Sequence, residues 1–302
     1  MKASRQPVAP ATENDKTVTA IAQPFLKWAG GKRQLLPFLR KYLPPGYDAR
    51  SGNYYEPFVG AGALLFNLQP ARAIINDVNP ELVNCYTVIR DLSTDLIQDL
   101  KRHKNTKEYF YDIRELDRGK KFQQLSPVQR ASRIIYLNKT CFNGLFRVNK
   151  QGQFNVPFGR YKNPNIINAD TIRAISRYLN DNRVTVLNTD FAKAVETARR
   201  GDFIYFDPPY DPLSETSSFT GYSLHQFGKS EQERLRDVFD ELTCRGCKVM
   251  LSNSSTNFIA DLYADYYIER VPANRNINSV ATGRQKIDEF LVLNYAPGHD
   301  KQ

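Results

Sequence analysis

Residues 201–212 read GDFIYFDPPYDP, and this stretch decides how the chain folds. Four apolar residues, FIYF, are followed at once by an acid, two prolines and a tyrosine. A short and wholly apolar run is typical of a strand that is covered on both faces of a sheet. Because proline cannot donate a backbone hydrogen bond, we predict that the strand ends at residue 206 and presents Asp207 on a stiffened turn.

The predicted turn carries groups that suit one kind of ligand. Asp207 accepts hydrogen bonds when it is ionised, and the Pro208 carbonyl is a second acceptor on a rigid backbone. Pro209 stiffens the turn further, and Tyr210 offers an aromatic face on which a planar heterocycle can stack. Two acceptors beside a stacking surface fit the exocyclic amino group of a purine. Drawing its hydrogens toward acceptors localises the nitrogen lone pair, which makes that nitrogen a better nucleophile.

Apolar strands recur along the chain and alternate with helical segments. We predict further strands at residues 54–56, 73–77, 184–188, 248–252, 266–271 and 289–295, and helices at 63–68, 191–200, 230–245 and 256–264. Ser230 and Glu233 have the spacing of a capping box at the start of their helix. Short apolar strands separated by helices indicate an α/β fold with a largely parallel sheet covered on both faces.

Residues 81–167 interrupt this alternation. Apolar residues from 81 to 101 have helical spacing, and Ser126-Pro127 is typical of the start of another helix. Segments 146–149 and 154–156 alternate on either side of a polar turn, which predicts a β-hairpin. We interpret this helical block with its polar, basic hairpin as an insertion that carries recognition.

Length and composition narrow the class of protein. With 302 residues the chain is long enough for one large domain, or for one domain that carries an insertion. No run approaches the roughly 18 apolar residues of a membrane span, and residues 1–23 are polar, so we expect a flexible tail and a cytoplasmic protein. The net charge of +10, from 42 basic and 32 acidic residues, predicts attraction to a polyanion.

Two cysteines have a spacing that redox and zinc sites also use. Cys244 and Cys247 form a CxxC pair, but a zinc site needs two further ligands at similar spacing. The three histidines of the chain are scattered. We therefore expect neither a metal nor a disulfide.

Two glycine-containing segments are candidates for ligand binding. In FLKWAGGK, residues 25–32, a P-loop is excluded because Leu26 and Arg33 stand where it needs glycine and a hydroxyl residue. Trp28 flanked by lysines favours a ligand platform instead.

The second segment is FVGAG, which follows the predicted strand 54–56. Small residues let the backbone approach a ligand, and the helix that follows offers its N-terminus. Leu65 stands where a dinucleotide fingerprint needs its third glycine, so that assignment fails. Asp77, at the end of the next strand, is well placed for a ribose hydroxyl pair. The combination favours an adenosine-containing cofactor.

In this order, FLKWAGGK, FVGAG and DPPY resemble the Dam-type DNA adenine-N6 methyltransferases, and in particular the GATC-methylating enzymes of DpnII-type restriction systems. The resemblance extends from about Pro24 to Tyr295. It implies a class I S-adenosylmethionine-dependent methyltransferase with a Rossmann-like mixed sheet. The implied reaction is methyl transfer to N6 of an adenine flipped out of double-stranded DNA, within GATC. One departure is GAG where the family loop often reads GGG, but Ala61 keeps the side chain small.

The resemblance also implies a division of the chain and a set of cofactor contacts. The catalytic domain comprises 24–80 and 168–297, the inserted target-recognition domain 81–167, and tails cover 1–23 and 298–302. Asp207, the Pro208 carbonyl and Tyr210 would hold the target adenine. The S-adenosylmethionine contacts would come from Trp28, Lys32, Glu56, Pro57, Phe58, Gly60, Gly62, Asp77, Asp190, Phe191 and Asp207, without a metal.

The implied DNA contacts lie mainly in the insertion. Phe142 would wedge into the stack that the flipped base leaves, while Asn143 and Leu145 would contact neighbouring base pairs. Arg147 and Arg160 would donate to guanine edges or nearby phosphates. The remaining implied DNA contacts are Lys27, Pro157, Tyr161, Lys162, Arg275 and Ser279.

Other acceptors and other classes of protein remain open at this point. The same chemistry could act on single-stranded DNA, on RNA or on cytosine N4, although cytosine enzymes often carry serine in place of Asp207. A non-catalytic sequence-specific DNA-binding protein would show damaged motifs, and a protein-glutamine methyltransferase would carry asparagine at 207. We expect a monomer at the nucleoid that binds double-stranded DNA and no membrane, with a restriction endonuclease as a functional but not physical partner.

Overall fold

The structure is a computed structural model that describes residues 20–28, 32–212, 227–274 and 286–298. These ranges contain one seven-stranded sheet. Its strands are β1 Tyr54–Glu56, β2 Arg72–Asn76, β3 Arg183–Leu187, β4 Phe203–Phe206, β5 Lys248–Ser254, β6 Tyr267–Asn274 and β7 Lys286–Leu293. The α-helices are α1 Leu36–Lys41, α2 Ala63–Leu68, α3 Pro80–Asp91, α4 Ser93–Leu100, α5 Lys107–Glu115, α6 Pro127–Thr140, α7 Ala169–Asp181, α8 Phe191–Ala194, α9 Lys229–Cys244 and α10 Asn257–Leu262.

The strand order β3-β2-β1-β4-β5-β7-β6 creates a crevice in the middle of the sheet. Strands β1 to β5 pair in parallel, whereas β7 is antiparallel to both β5 and β6. The chain builds outward from β1 through β2 and β3, and then crosses to β4. Open α/β sheets bind ligands at such a reversal, outside the carboxyl ends of the strands. The α/β architecture that we predicted is confirmed, and the DPPY turn after β4 lies at the reversal.

Helices cover both faces of the sheet, because successive strand residues point to opposite sides. Along β4, Phe203 and Tyr205 pack into a core with α3, α4, α6 and α7. Ile204 and Phe206 pack into a second core with α9 and α10. The core on the first face continues into the insertion, where it includes buried residues of α5, α6 and the hairpin segment.

Several sequence-based boundaries were wrong. The helical spacing over 81–101 is confirmed but divides between α3 and α4, because Leu92 leaves helical geometry with φ −133° and ψ 35°. The predicted helix 191–200 is a single turn, Phe191–Ala194, because Val195 leaves helical geometry with φ −106° and ψ 6°. The predicted capping box fails because α9 begins at Lys229, after Gly228, with no side-chain cap.

The insertion contains the local features that its sequence suggests, in a less regular form. A capping box does occur at α6, where Ser126 and Gln129 bond reciprocally. The hairpin consists of one antiparallel bridge between Val148 and Phe154 rather than two strands. Its turn is closed at Gly152, whose φ is +76°. Across the described part of the chain, the helices are too short or too polar to span a membrane.

Candidate active site

The turn after β4 presents Asp207 to a buried lysine. Lys32 begins a short 3₁₀ helix, Lys32–Gln34, and its Nζ lies 2.9 Å from Asp207 Oδ1. Burial raises the pKa of Asp207 to about 6, and the nearby Lys32 ammonium limits that rise. At neutral pH the carboxyl group is therefore mainly ionised and able to accept hydrogen bonds.

Tyr210 is held on two sides. Its hydroxyl donates a 2.6 Å hydrogen bond to Glu289 Oε2 on β7, and Lys32 Nζ lies 4.3 Å from the centre of its ring. Burial beside two carboxylates raises the pKa of Tyr210 well above its usual range, so the hydroxyl remains a donor. Sequence reasoning missed Glu289, although an acid inside the apolar run of β7 was a visible signal.

A buried polar network braces the rest of the turn. Gln232 of α9 donates to the Pro209 carbonyl at 2.9 Å, and Asn253 of β5 donates to Gln232 Oε1 at 3.0 Å. The Asn253 amide oxygen also accepts from the Asp211 backbone at 3.2 Å. The Pro209 carbonyl therefore belongs to this network, which fixes the turn against α9 and β5.

The glycine loop after β1 packs against Trp28. Gly60 and Gly62 have positive φ values of +49° and +71°, which glycine adopts without strain. A Cβ on Gly60 would lie 2.9 Å from Trp28 Cδ1, and one on Gly62 would lie 2.8 Å from the Tyr86 hydroxyl. Tyr86 also donates to the Gly60 carbonyl at 3.0 Å. Both glycines are therefore required, because a side chain at either position would collide with the aromatic side chains packed against the loop.

Two acids flank this loop. Asp77, after β2, accepts from the Gly60 backbone at 3.2 Å and from the Asn79 backbone at 2.9 Å, and burial raises its pKa to about 6. Glu56, at the end of β1, accepts a 2.8 Å hydrogen bond from Tyr54, and burial raises its pKa to about 8. Glu56 is thus mainly neutral at pH 7, which lowers the negative charge near Asp207.

Asp190 and Phe191 lie beyond β3, at the start of α8. Asp190 caps α8 through the Ala192 backbone at 2.9 Å and receives two hydrogen bonds from Arg234, at 2.9 and 2.7 Å. The Arg234 guanidinium lowers the pKa of Asp190 and lies 4.1 Å from the centre of the Phe191 ring. Phe58 packs 5.4 Å from Phe191. Sequence reasoning did not predict that Arg234 engages both residues.

Asn76 stabilises the loops around this site. Asn76 is buried and donates to the carbonyls of Pro57 at 3.0 Å and Thr189 at 3.1 Å. Its side-chain oxygen accepts from the Thr189 backbone at 2.9 Å. These bonds join the loops that follow β1, β2 and β3. The structure therefore brings most of the predicted cofactor residues to one edge of the sheet.

A second group of predicted residues surrounds the end of α6. Asn138 is buried and exchanges hydrogen bonds with the backbone of Lys27 at 2.9 and 2.8 Å. It also donates to the Gly144 carbonyl at 2.9 Å. The Trp28 ring stacks on Phe146 with centroids 4.7 Å apart. Trp28 thereby joins the glycine loop to the segment that follows α6, and Asn138 fixes that junction.

The segment after α6 exposes an apolar side chain. Phe142 is 52% exposed, and Asn143 beside it has a φ of +55°. The Phe142 backbone donates to the Pro157 carbonyl at 2.8 Å, while Leu145 is half-buried. The Phe142 ring is exposed while its backbone is held by a hydrogen bond. Such a ring is suited to insertion between the stacked groups of a ligand.

Basic side chains lie on the neighbouring strand-like segment. Arg147 is exposed and donates to Asn155 Oδ1 at 2.8 Å. Arg160 is exposed at a φ of +55°, and Lys162 is exposed two residues later. The Lys27 ammonium lies 5.4 Å from the centre of the Tyr161 ring. Arg275 and Ser279 lie outside the described residues.

A Rossmann-like sheet with a glycine loop, an acid and a DPPY turn at successive strand ends defines a class I S-adenosylmethionine-dependent methyltransferase. A family model described as D12 class N6 adenine-specific DNA methyltransferase matches residues 28–277, and the chain belongs to that family. The predicted resemblance is therefore confirmed. The protein is an adenine-specific DNA methyltransferase that uses S-adenosylmethionine as its methyl donor.

Individual relatives agree with this family over nearly the full chain. The chain is 48% identical over 275 residues to the Type II methyltransferase M1.LlaDCHI of Lactococcus lactis subsp. cremoris, covering 90% of this chain and 95% of the relative. It is 41% identical over 291 residues to the Type II methyltransferase M.MjaIII of Methanocaldococcus jannaschii, covering 90% and 99%. It is 34% identical over 278 residues to the DNA adenine methylase of Escherichia coli K12, covering 91% and 95%.

Proposed function

We propose that this methyltransferase modifies N6 of an adenine flipped out of double-stranded DNA, within the sequence GATC. The observation that carries the flipped-base proposal is the DPPY turn. Asp207 and the Pro208 carbonyl are two acceptors on the turn that carries the Tyr210 ring, and the exposed Phe142 lies on the segment joined to that site through Trp28. The GATC specificity rests on the motif resemblance.

The cofactor residues that we propose fit an adenosine-containing ligand. Gly60 and Gly62 contribute no side chains to the loop, and Trp28 lies alongside it. Each Asp77 oxygen accepts one backbone hydrogen bond and retains acceptor capacity for a ribose hydroxyl. The other proposed cofactor contacts are Lys32, Glu56, Pro57, Phe58, Asp190, Phe191 and Asp207. When bound, S-adenosylmethionine supplies a methyl group on a cationic sulfur.

The protein's own groups orient the nucleophile. Asp207 and the Pro208 carbonyl accept the two amino hydrogens of the adenine, and Tyr210 stacks on its ring. This arrangement directs the N6 lone pair away from the ring plane without a covalent enzyme intermediate. Correct alignment of reacting groups can account for about 7–11 kcal/mol of a barrier in ideal cases. The ionised Asp207 then accepts the proton that N6 must lose after methylation.

The insertion supplies the DNA contacts in this proposal. Phe142 fills the gap that the flipped base leaves, a step that offsets part of an unstacking cost of about a few kcal/mol. Arg147 and Arg160 donate to guanine edges or phosphates. The further proposed contacts are Lys27, Asn143, Leu145, Pro157, Tyr161, Lys162, Arg275 and Ser279. The division into a catalytic domain, 24–80 with 168–297, and a recognition domain, 81–167, belongs to the same proposal.

The decisive experiment uses methyl-labelled cofactor and synthetic nucleic acids. Duplexes that differ only in GATC or a scrambled site are compared with the same strands unpaired and with an RNA copy. We expect label on GATC duplexes, at N6 of adenine, well above all other substrates. Equal labelling of the scrambled duplex would contradict the GATC assignment, and preferential labelling of single strands would contradict the flipped-base assignment.

The biological setting is a further part of the proposal. Two of the relatives are named Type II methyltransferases, which supports action alongside a restriction endonuclease as a functional partner. We propose that the protein acts as a monomer at the nucleoid. Light scattering with and without a GATC duplex tests the monomer, and a dimer on the duplex would contradict it.

A further inference from the structure

Glu289 is a carboxylate in a place where burial makes a charge costly. It lies on β7, opposite Ser254 of β5 and Val271 of β6, and its side chain is only 9% exposed. The next four residues of β7 are all buried and apolar. A buried carboxylate is destabilising unless it is paired or hydrogen-bonded. The groups that Glu289 contacts therefore indicate why an acid occupies this position.

Glu289 contacts two side chains of the DPPY site. The Tyr210 hydroxyl donates to Glu289 Oε2 at 2.6 Å, and Lys32 Nζ lies 3.8 Å from the same oxygen. Lys32 Nζ also lies 2.9 Å from Asp207 Oδ1 and 4.3 Å from the Tyr210 ring centre. Three segments that are distant in sequence thus meet in one cluster of four side chains.

The contact with Tyr210 restricts a ring that has to act as a stacking surface. The ring is attached to a turn, and its tilt is set by two side-chain torsions. A hydrogen bond to a strand residue fixes the far end of the ring relative to the sheet. Hydrogen bonds to a carboxylate are shorter and stronger than those between neutral groups, and the 2.6 Å distance is consistent with such a bond.

The contact with Lys32 affects the acceptor capacity of Asp207. If the Lys32 ammonium contacted Asp207 alone, it would compete with the substrate amino group for the Asp207 oxygens. Glu289 provides a second carboxylate within 3.8 Å of Lys32 Nζ, so the ammonium is shared between Asp207 and Glu289. Asp207 can then accept from a substrate without leaving the lysine charge uncompensated.

We propose that Glu289 is a positioning residue for methyl transfer, which holds the Tyr210 ring at its stacking angle and shares the Lys32 ammonium with Asp207. This inference rests on the proposed function, since it requires Tyr210 to stack on the target adenine. It assigns a role to β7, an element outside the glycine loop and the DPPY turn.

The test compares Glu289→Gln, Tyr210→Phe and the double variant in the full chain. Single-turnover methyl transfer is measured on a preformed complex with GATC duplex. We expect each single variant to be slower by about 10- to 100-fold, the effect of one charged hydrogen bond. The double variant should lose less than the product of the two single losses, because both changes remove the same contact.

A fluorescence measurement separates positioning from a general loss of structure. The target adenine of the duplex is replaced by 2-aminopurine, whose emission falls when it stacks on an aromatic ring. When saturated with this duplex, both single variants should give brighter emission than wild type, because the ring at position 210 is no longer fixed by Glu289 and stacks less well.

Asp288→Asn is the matched control. Asp288 precedes Glu289 on β7 and pairs with Arg270 at 3.8 Å, so the substitution removes the same charge away from the site. Its transfer rate and emission should equal those of wild type. A Glu289→Gln rate equal to the Asp288→Asn rate, or single losses that multiply in the double variant, would overturn the proposal.

Two further results, a less stable Glu289→Gln and an inactive wild type, have different meanings. If Glu289→Gln melts at a lower temperature, Tyr210→Phe decides the question alone, because it leaves β7 unchanged, and a normal rate for it contradicts the proposal. If wild type itself transfers no methyl group to the adenine of the duplex, the proposed function fails instead.

Discussion

Gly60→Ala is expected to weaken cofactor binding through its contact with Trp28. Gly60 has a φ of +49°, and an added Cβ would lie 2.9 Å from Trp28 Cδ1. The left-handed backbone alone costs an alanine about 1–2 kcal/mol. The contact adds a displacement of the Trp28 ring, which cannot move freely because it also stacks on Phe146 at 4.7 Å. We expect a loss of cofactor affinity of about tenfold or more, equivalent to at least ~1.4 kcal/mol.

The Gly46→Ala variant separates the effect of the Trp28 contact from the cost of placing an alanine in the left-handed backbone region. Gly46 has a φ of +71° and no atom within 4 Å of the added Cβ, so it carries the strain without the collision. Both variants should lower the free energy of unfolding by about 1–2 kcal/mol. Only Gly60→Ala should raise the cofactor Kd. Trp28 is the single tryptophan of the chain, so its fluorescence reports binding directly. Equal Kd values for the two variants would refute the reasoning.

Three further predictions follow from the site. Asp207→Ala should abolish methyl transfer yet leave duplex binding largely intact, and near-normal turnover would contradict the role of its carboxylate. Arg160→Ala should lose about 1–3 kcal/mol of discrimination at one base pair in binding assays, whereas equal weakening on all sequences would make Arg160 a phosphate contact. Glu56 has a pKa raised from 4.5 to about 8, so its neutral form stabilises the fold at low pH and that stability is lost as pH rises toward 8. In denaturant unfolding, the free energy of unfolding of Glu56→Gln should therefore fall less steeply with rising pH than that of wild type. Parallel pH profiles for the two proteins would contradict this.

Local sequence patterns were sufficient to predict the strands that carry the ligand-binding loops. The apolar runs of β1 and β4 are short and bounded by turn residues, so their positions could be predicted to within a residue. The glycine loop and the DPPY turn follow them directly. Helix ends were harder to predict, because Ser230 offers the chemistry of a cap while the chain already enters α9 after Gly228. Local capping preference is weaker than the tertiary packing that sets where a helix begins.

The supporting partners were not predictable in the same way, because they come from distant parts of the chain. Tyr210 is bound by a residue 79 positions away, and Lys27 by one 111 positions away. The contact between Tyr210 and Glu289 forms because β7 enters the sheet beside β5 and antiparallel to it, which places Glu289 near the carboxyl end of β5. A shift of β7 by one residue would turn Glu289 to the opposite face. The DPPY motif therefore identifies the acceptors, but the strand order and register determine which side chains hold them in place.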